Sequence, residues 1–193
     1  HGDIQILFTI AEEGGVNGSR CMDRSKLKAE VAYALDGEGA PGEVVIGAPG
    51  QYKWTISVHG KKAHGGLEPE KGINAIMIAA KALAELERYG PIDEDTTCNI
   101  GVIGGGVATN VVPDLVVIEG DVRSRNNEKL EAMREELVST ICNAVEKFGG
   151  KFTAEVEHKY SSFLIDTNST VVKLAERACE LYNLPLDITQ TGG

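Results

Sequence analysis

Two neighbouring glutamates, Glu12 and Glu13, lie where an apolar run, residues 4–11, meets a glycine-rich turn. Like charges side by side repel each other, and burial at the end of a strand would increase the cost. A divalent cation would remove the conflict, because one carboxylate could bind it while the other moved protons. The alternative is a solvated acidic turn, and the spacing alone favours that alternative.

A third carboxylate, Asp36, follows a second apolar run, residues 31–35. If both apolar runs are buried strands joined by a helix, the crossover makes them parallel. Glu12, Glu13 and Asp36 would then share the carboxyl edge of one sheet, where open α/β sheets bind ligands. Three carboxylates favour a hard or borderline divalent cation, although zinc usually takes nitrogen or sulfur ligands as well. Taken alone, Asp36 is more typical of a turn residue.

Two glycine-rich loops carry further candidates. His64 lies in the loop of residues 58–66, where an accessible imidazole could polarise a substrate carbonyl or simply face solvent. Asn110 lies in residues 104–113, which no helix follows, so the dinucleotide-binding fingerprint fails its structural context. We predict a long hairpin connection there, with Asn110 as a turn residue or a hydrogen-bond partner of substrate.

Arg123 is the candidate for binding a substrate anion. In an alternating strand it shares one face with Glu119 and Asp121, whereas Val122 and its apolar neighbours face the other way. One interpretation is a solvated ion pair, which contributes little to stability. The other is a guanidinium clamp for a carboxylate.

Residues 50–158 show the element order β-α-β-β-α-β, which predicts a ferredoxin-like, four-stranded antiparallel sheet with both helices on one face. The first helix, over about residues 69–89, has a predicted core stripe. It comprises Ile73, Ile76, Met77, Ala80 and Leu83. The second helix begins at Asn126 or Asn127, and its predicted stripe comprises Leu130, Met133, Leu137, Ile141, Ala144 and Phe148.

The flanking segments, 1–49 and 159–193, have the pattern of an α/β domain. In the first we predict strands at 4–11 and 31–35, a helix over about 17–28, and a domain boundary in the glycine- and proline-rich stretch 39–50. The predicted organisation is therefore a domain at 50–158 inserted between two pieces of an α/β domain.

The composition excludes some classes of partner. The formal net charge of −10 argues against nucleic acid, and no apolar stretch is long enough to span a membrane. The four cysteines are scattered without a C-x-x-C spacing, as expected of reduced thiols in the cytoplasm. Because the first residue is not Met, we expect an internal piece of a longer chain.

Several motifs together resemble one family, the dinuclear-zinc exopeptidases and deacylases that include peptidase T, acetylornithine deacetylase and succinyl-diaminopimelate desuccinylase. The motifs are FTIAEEG at 8–14, ALDG at 34–37, GKKAHGG at 60–66, GGVATNVV at 105–112 and TGG at 191–193. With PEKG at 69–72, their wording is most similar to the peptidase T-like branch. By this resemblance, 1–49 and 159–193 are pieces of the catalytic domain, and 50–158 is the lid and dimerisation domain.

The resemblance implies a role for each carboxylate. Glu12 would be the general base that activates a zinc-bound water, Glu13 would ligate one zinc ion and Asp36 the other. The family's remaining ligands, a histidine and a bridging aspartate upstream and a histidine downstream, have no counterpart in these residues. We therefore expect the chain alone to be catalytically silent and to bind no stable pair of zinc ions.

The resemblance also assigns the other candidates. His64 would reach the active site of the partner protomer in a homodimer and stabilise the oxyanion, and Asn110 and Arg123 would bind substrate. The substrate would be a short peptide for an aminopeptidase or an N-acyl amino acid for a deacylase. The alternative is a non-catalytic dimerisation or lid module that folds without the chemistry.

Overall fold

The computed structural model describes residues 3–12, 16–37 and 39–192. In chain order, the strands are β1 (Glu43–Ala48), β2 (Gly50–His59), β3 (Ala63–His64), β4 (Gly90–Pro91), β5 (Thr96–Gly105), β6 (Val111–Val112), β7 (Leu115–Ser124), β8 (Lys151–Tyr160), β9 (Phe163–Leu164) and β10 (Asp187–Gln190). The α-helices are α1 (Asn17–Arg20), α2 (Ala75–Ala84), α3 (Asn127–Lys147) and α4 (Thr170–Tyr182). Short 3-10 helices span Arg24–Lys26 and Pro69–Lys71.

The chain divides into two compact units. The larger unit comprises Ala48–Phe163 with Gly192–Gly193, and the smaller comprises His1–Gly47 and Leu164–Thr191. Together they have the mixed α/β character that the sequence predicts, with an inserted domain of ferredoxin-like type.

The larger unit is built on a five-stranded sheet with the order β4-β5-β7-β2-β8. All its strand pairs are antiparallel. The four long strands, with α2 after β2 and α3 after β7, form the predicted β-α-β-β-α-β unit. The two-residue strand β4 is an addition that the sequence pattern does not predict.

The core of the larger unit lies between the helices and one face of the sheet. On β2, Trp54, Ile56 and Val58 are fully buried, and the residues between them point to the other face. The predicted stripe of α3 is confirmed, because its members from Leu130 to Ala144 are buried and Phe148 packs against them. Asn126 caps α3 by accepting hydrogen bonds from the backbone amides of the first turn.

The prediction for the first helix is wrong in two respects. A separate 3-10 helix contains Pro69, and α2 begins only at Ala75, after the capping side chain of Asn74. The residues that α2 buries are Ala75, Ile78, Ala79 and Ala82, whereas most of the predicted stripe is exposed. The segment is apolar on both faces, so periodicity alone does not show which face is buried. The face with the small alanines is the buried one, because they allow the helix backbone to approach the core closely.

The smaller unit has a sheet with the order β10-β1-β9, in which β1 and β10 are parallel. Strand β1 occupies six of the twelve residues, 39–50, that the sequence predicts to be a boundary. Helix α4 buries Val172 and Cys179.

The predicted strands at 4–11 and 31–35 do not form in the described residues, and the predicted helix at 17–28 shortens to α1 and a 3-10 turn. Phe8 is 89% exposed and Leu35 is 96% exposed. An apolar run becomes a strand only where the backbone of another strand pairs with it, and among the described residues no strand pairs with either run. Instead, the side chain of Gln5 bonds to the backbone of Lys26 and Lys28.

Across the described residues, every helix is too short or too polar to cross a lipid bilayer.

Candidate functional site

Two predicted site residues of the larger unit are brought together by a small ladder. Strand β3 pairs with β6, which places His64 opposite Val111. The backbone amide of Gly65 donates a hydrogen bond to the carbonyl oxygen of Asn110 at 2.8 Å. Sequence reasoning treats these loops as separate, because strands of two residues have no alternation to detect. The hairpin connection predicted for 104–113 therefore also anchors the histidine loop.

The imidazole of His64 is oriented by its own loop. Its Nδ1 accepts hydrogen bonds from the backbone amides of Gly66 at 3.2 Å and Leu67 at 3.1 Å. A nitrogen that accepts two amide hydrogens carries no proton itself, so the neutral ring has its proton on Nε2. The exposed ring is thus arranged as a hydrogen-bond donor through Nε2, the polarity needed to stabilise negative charge on a carbonyl oxygen.

Arg123 lies on β7, opposite Gln51 of β2 and Thr97 of β5. Its Nε donates to Oδ2 of Asp121 at 2.8 Å, and its Nη1 donates to the carbonyl oxygen of Gly192 at 3.4 Å. The two charged side chains are 33% and 19% exposed, so their interaction is only partly screened by solvent. The strand face predicted for Arg123 is confirmed, since Val116, Ile118 and Val122 are buried behind it.

The carboxylate candidates belong to the smaller unit. Glu12 and Asp36 are both exposed. The carbonyl oxygen of Glu12 accepts a hydrogen bond from the backbone amide of Val16 at 2.8 Å. Ala11 and Val16 have φ angles of 55° and 53°, a left-handed conformation that is costly for residues with a Cβ. Glu13 lies outside the described residues.

A zinc centre requires several histidine, cysteine, aspartate or glutamate side chains close enough to share one ion. No group of three or more such side chains exists among residues 3–12, 16–37 and 39–192. The donors present there therefore do not fit a zinc centre by themselves, because a protein zinc site needs three or four ligands.

Comparison with known proteins identifies the class. Residues 46–148 match the family model of the peptidase dimerisation domain, M20_dimer. The chain therefore belongs to the M20 peptidase family, and its larger unit contains the dimerisation domain of that family.

Individual relatives agree with this assignment. The chain is 39% identical to the Bacillus subtilis protein YqjE. The match covers the whole of this chain and 52% of the length of YqjE. It is 33% identical to one of the subunits of p-aminobenzoyl-glutamate hydrolase from Escherichia coli K12, over 66% of this chain and 31% of that protein.

Two solved structures share the fold and much of the sequence. One is the aminopeptidase PepT from Bacillus cereus, with a TM-score of 0.85 and 40% identity. The other is a tripeptidase from Staphylococcus aureus, with a TM-score of 0.88 and 35% identity. Each match covers 96% of this chain and 49% of the solved chain, so this chain spans about half the length of these relatives.

Proposed function

We propose that this chain is part of a longer peptidase T-like exopeptidase that hydrolyses short peptides. The observation that carries the proposal is the similarity over 96% of the chain to an aminopeptidase and a tripeptidase, at 35–40% identity. We also propose that the residues of this chain alone are not active. Free cysteines at all four positions fit a cytoplasmic location.

In the larger unit, we assign substrate recognition to His64, Asn110 and Arg123. The Nε2 hydrogen of His64 would stabilise the oxygen of the scissile carbonyl as it gains charge. The fixed contact between the loops of His64 and Asn110 supports a joint role, because it keeps both at one place on the surface. Arg123 would bind a substrate carboxylate through its planar fork of N–H donors.

In the smaller unit, we assign Glu12 as the general base that takes a proton from the attacking water. Glu13 and Asp36 are proposed as metal ligands, to be completed by ligands from elsewhere in the longer protein. Replacing Glu12 by Gln in that protein is expected to abolish turnover while bound zinc is retained. Turnover that persists would refute the assignment of the base.

A second copy of the chain is the proposed partner of the larger unit, and the two edges of its sheet suggest where it binds. Edge strand β8 carries charged residues, including Glu155, Glu157 and Lys159, which discourage pairing with another strand. Strand β5, near the other edge, has no charge along its length. Beyond Cys98 its outer side pairs with no described residue, because β4 covers only its beginning.

Apolar side chains extend this open edge into a surface. Val102 and Ile103 of β5 are 52% and 56% exposed, and Ile76 and Met77 of α2 are 41% and 53% exposed. Ile76 belongs to the same patch, since its Cδ1 lies 3.2 Å from where a Cβ on Gly106 would stand. We call these residues the α2–β5 surface. A dimer that pairs the two β5 edges would bury these apolar side chains.

Sedimentation can test the dimer with a matched pair of variants. Ile103→Lys places a charge on the β5 edge and is expected to give a monomer. Ala154→Lys places the same charge on the same side of the sheet, at the opposite edge on β8, and should leave the dimer intact. A wild-type chain that is monomeric at all concentrations, or an Ile103→Lys variant that remains dimeric, would refute this surface.

A substrate panel tests the activity itself. The full-length protein is expected to cleave tripeptides faster than dipeptides or N-acyl amino acids, and the 193-residue chain to cleave none of them. Preference for an N-acyl amino acid would instead favour an amidohydrolase, the candidate that the similarity to p-aminobenzoyl-glutamate hydrolase supports.

A further inference from the structure

The carboxylate of Asp121 joins two side chains from neighbouring strands. Its Oδ2 accepts a hydrogen bond from Nε of Arg123 at 2.8 Å and another from Nε2 of Gln51 at 2.7 Å. Arg123 lies two residues along the same strand, and Gln51 lies directly opposite Arg123 on β2. The three side chains therefore occupy one corner of the sheet face.

The arrangement differs from an ordinary surface ion pair. Gln51 is only 5% exposed, and a buried amide that donates to a carboxylate fixes the orientation of that carboxylate. The fixed carboxylate in turn holds Nε, the donor nearest the stem of the arginine, so the plane of the guanidinium is set by the sheet. A freely solvated pair would leave both side chains able to rotate.

We infer that Asp121 and Gln51 are positioning residues that set the guanidinium of Arg123 for a carboxylate at the end of the substrate. This inference rests on the proposed role of Arg123 in substrate binding. Bidentate recognition of a carboxylate depends on the orientation of the guanidinium plane, so loss of the positioning contact should weaken binding of an anionic end and spare a neutral one.

Kinetics of the full-length protein with two matched substrates test the inference. One substrate is a tripeptide with a free C-terminal carboxylate, and the other is the same tripeptide with a C-terminal amide. Asp121→Asn is expected to lower kcat/KM for the free tripeptide by about tenfold, mainly through KM, as loss of a charge-assisted hydrogen bond predicts. For the tripeptide amide, kcat/KM should change by less than about twofold. Gln51→Leu should show the same selectivity with a smaller loss.

Glu119→Gln is the matched control, because it removes the same charge two residues away on the same face of β7. Glu119→Gln should leave kcat/KM unchanged for both substrates. Asp121→Glu, which keeps the carboxylate charge, should lower kcat/KM for the free tripeptide less than Asp121→Asn does. Equal losses for both substrates in Asp121→Asn, or no loss for either, would overturn the inference.

A spectroscopic measurement on the 193-residue chain separates this inference from the proposed function. The Nε–H resonance of Arg123 should exchange slowly with solvent in the wild type and in Glu119→Gln, and rapidly in Asp121→Asn. If the full-length protein cleaves neither substrate, the proposed function fails, and this measurement still decides whether Asp121 orders Arg123. A rapidly exchanging Nε–H in the wild type would overturn the positioning role even if the enzyme is active.

Discussion

The backbone amide of Leu67 donates a hydrogen bond to Nδ1 of His64 at 3.1 Å, and the amide of Gly66 donates to the same nitrogen. The tight turn after β3 therefore selects a tautomer as well as a position. Because Nδ1 acts as an acceptor, the donor that His64 presents to its surroundings is Nε2–H.

Long-range proton–nitrogen NMR spectra check this directly. We expect the neutral form of His64 to show a protonated Nε2 and an unprotonated Nδ1. His59 serves as a comparison within the chain, since its Nε2 contacts the hydroxyl of Thr153 and no backbone amide of the described residues donates to its ring. A neutral His64 with its proton on Nδ1 would contradict both the loop geometry and the proposed stabilisation of an oxyanion.

A hydrogen bond between Tyr52 and Glu131 joins the sheet to α3 and should give the larger unit a characteristic pH dependence. Tyr52 donates to the Glu131 carboxylate. This bond raises the pKa of Tyr52 above 10.0, and the same bond, helped by Arg134, lowers the pKa of Glu131 below 4.5. The raised pKa contributes stability that is lost as pH rises through it, and the lowered pKa contributes stability that is lost as pH falls through it.

Tyr52→Phe is therefore expected to reduce the free energy of unfolding near neutral pH by no more than about 1 kcal/mol, since the bond lies close to solvent. The difference from the wild type should shrink in strong acid and in strong alkali. Urea unfolding across the pH range measures it. Tyr89→Phe, at an exposed tyrosine, should have no effect at any pH. A constant difference across the pH range would show that the hydrogen bond is not its source.

Among the glycines of the five-stranded sheet, Gly120 has the least room for a side chain. A Cβ there would lie 2.2 Å from the carbonyl oxygen of Asn99 and 2.4 Å from Cζ2 of the buried Trp54. Neither neighbour can move without disturbing a ladder or the core, so Gly120→Ala should destabilise the chain by about 2 kcal/mol or more. Gly104→Ala is the control, because a Cβ there meets nothing within 4 Å. Thermal unfolding is expected to show a clearly lower Tm for Gly120→Ala than for Gly104→Ala.

How far the sequence predicts the fold depends on whether a segment buries one face or two. Helix α3 has polar residues on one side, so its stripe from Leu130 to Ala144 could be identified from periodicity alone. Helix α2 is apolar on both sides, and the pattern selected the outer face with Ile76 and Met77. For residues 4–11 the pattern predicts a strand, but a strand also needs a neighbour that no local pattern provides.

The same distinction applies to the candidate site. Alternation along β7 places Arg123 and Asp121 on one face, and the structure joins them by an ion pair. The contact between the loops of His64 and Asn110 depends on the pairing of two-residue strands from distant parts of the chain, which leaves no periodic signal. Sequence reasoning also missed Gln51, because nothing in an alternating strand indicates that one of its polar residues is buried.

The reactivity of the cysteines provides a last test, because it reports the packing of both units at once. Burial is the main cause that raises the pKa of Cys98 to about 11, and the nearby charges of Asp121 and Glu136 add to it. Burial also raises the pKa of Cys142, and Cys179 is buried in the smaller unit. Cys21 alone among the four is exposed. Since the thiolate is the reactive form and the reagent must reach it, only the exposed thiol should react quickly.

With Ellman's reagent at about pH 8, the native chain is expected to release one equivalent rapidly and the other three slowly. Unfolding in urea should make all four react at one rate. Cys21→Ser should remove the fast phase and leave the slow phase unchanged. A fast phase that survives this substitution would mean that one of the buried cysteines is transiently accessible. Repeating the experiment with Cys179→Ser would then show whether the opening occurs in the smaller unit or in the core beneath β5 and α3.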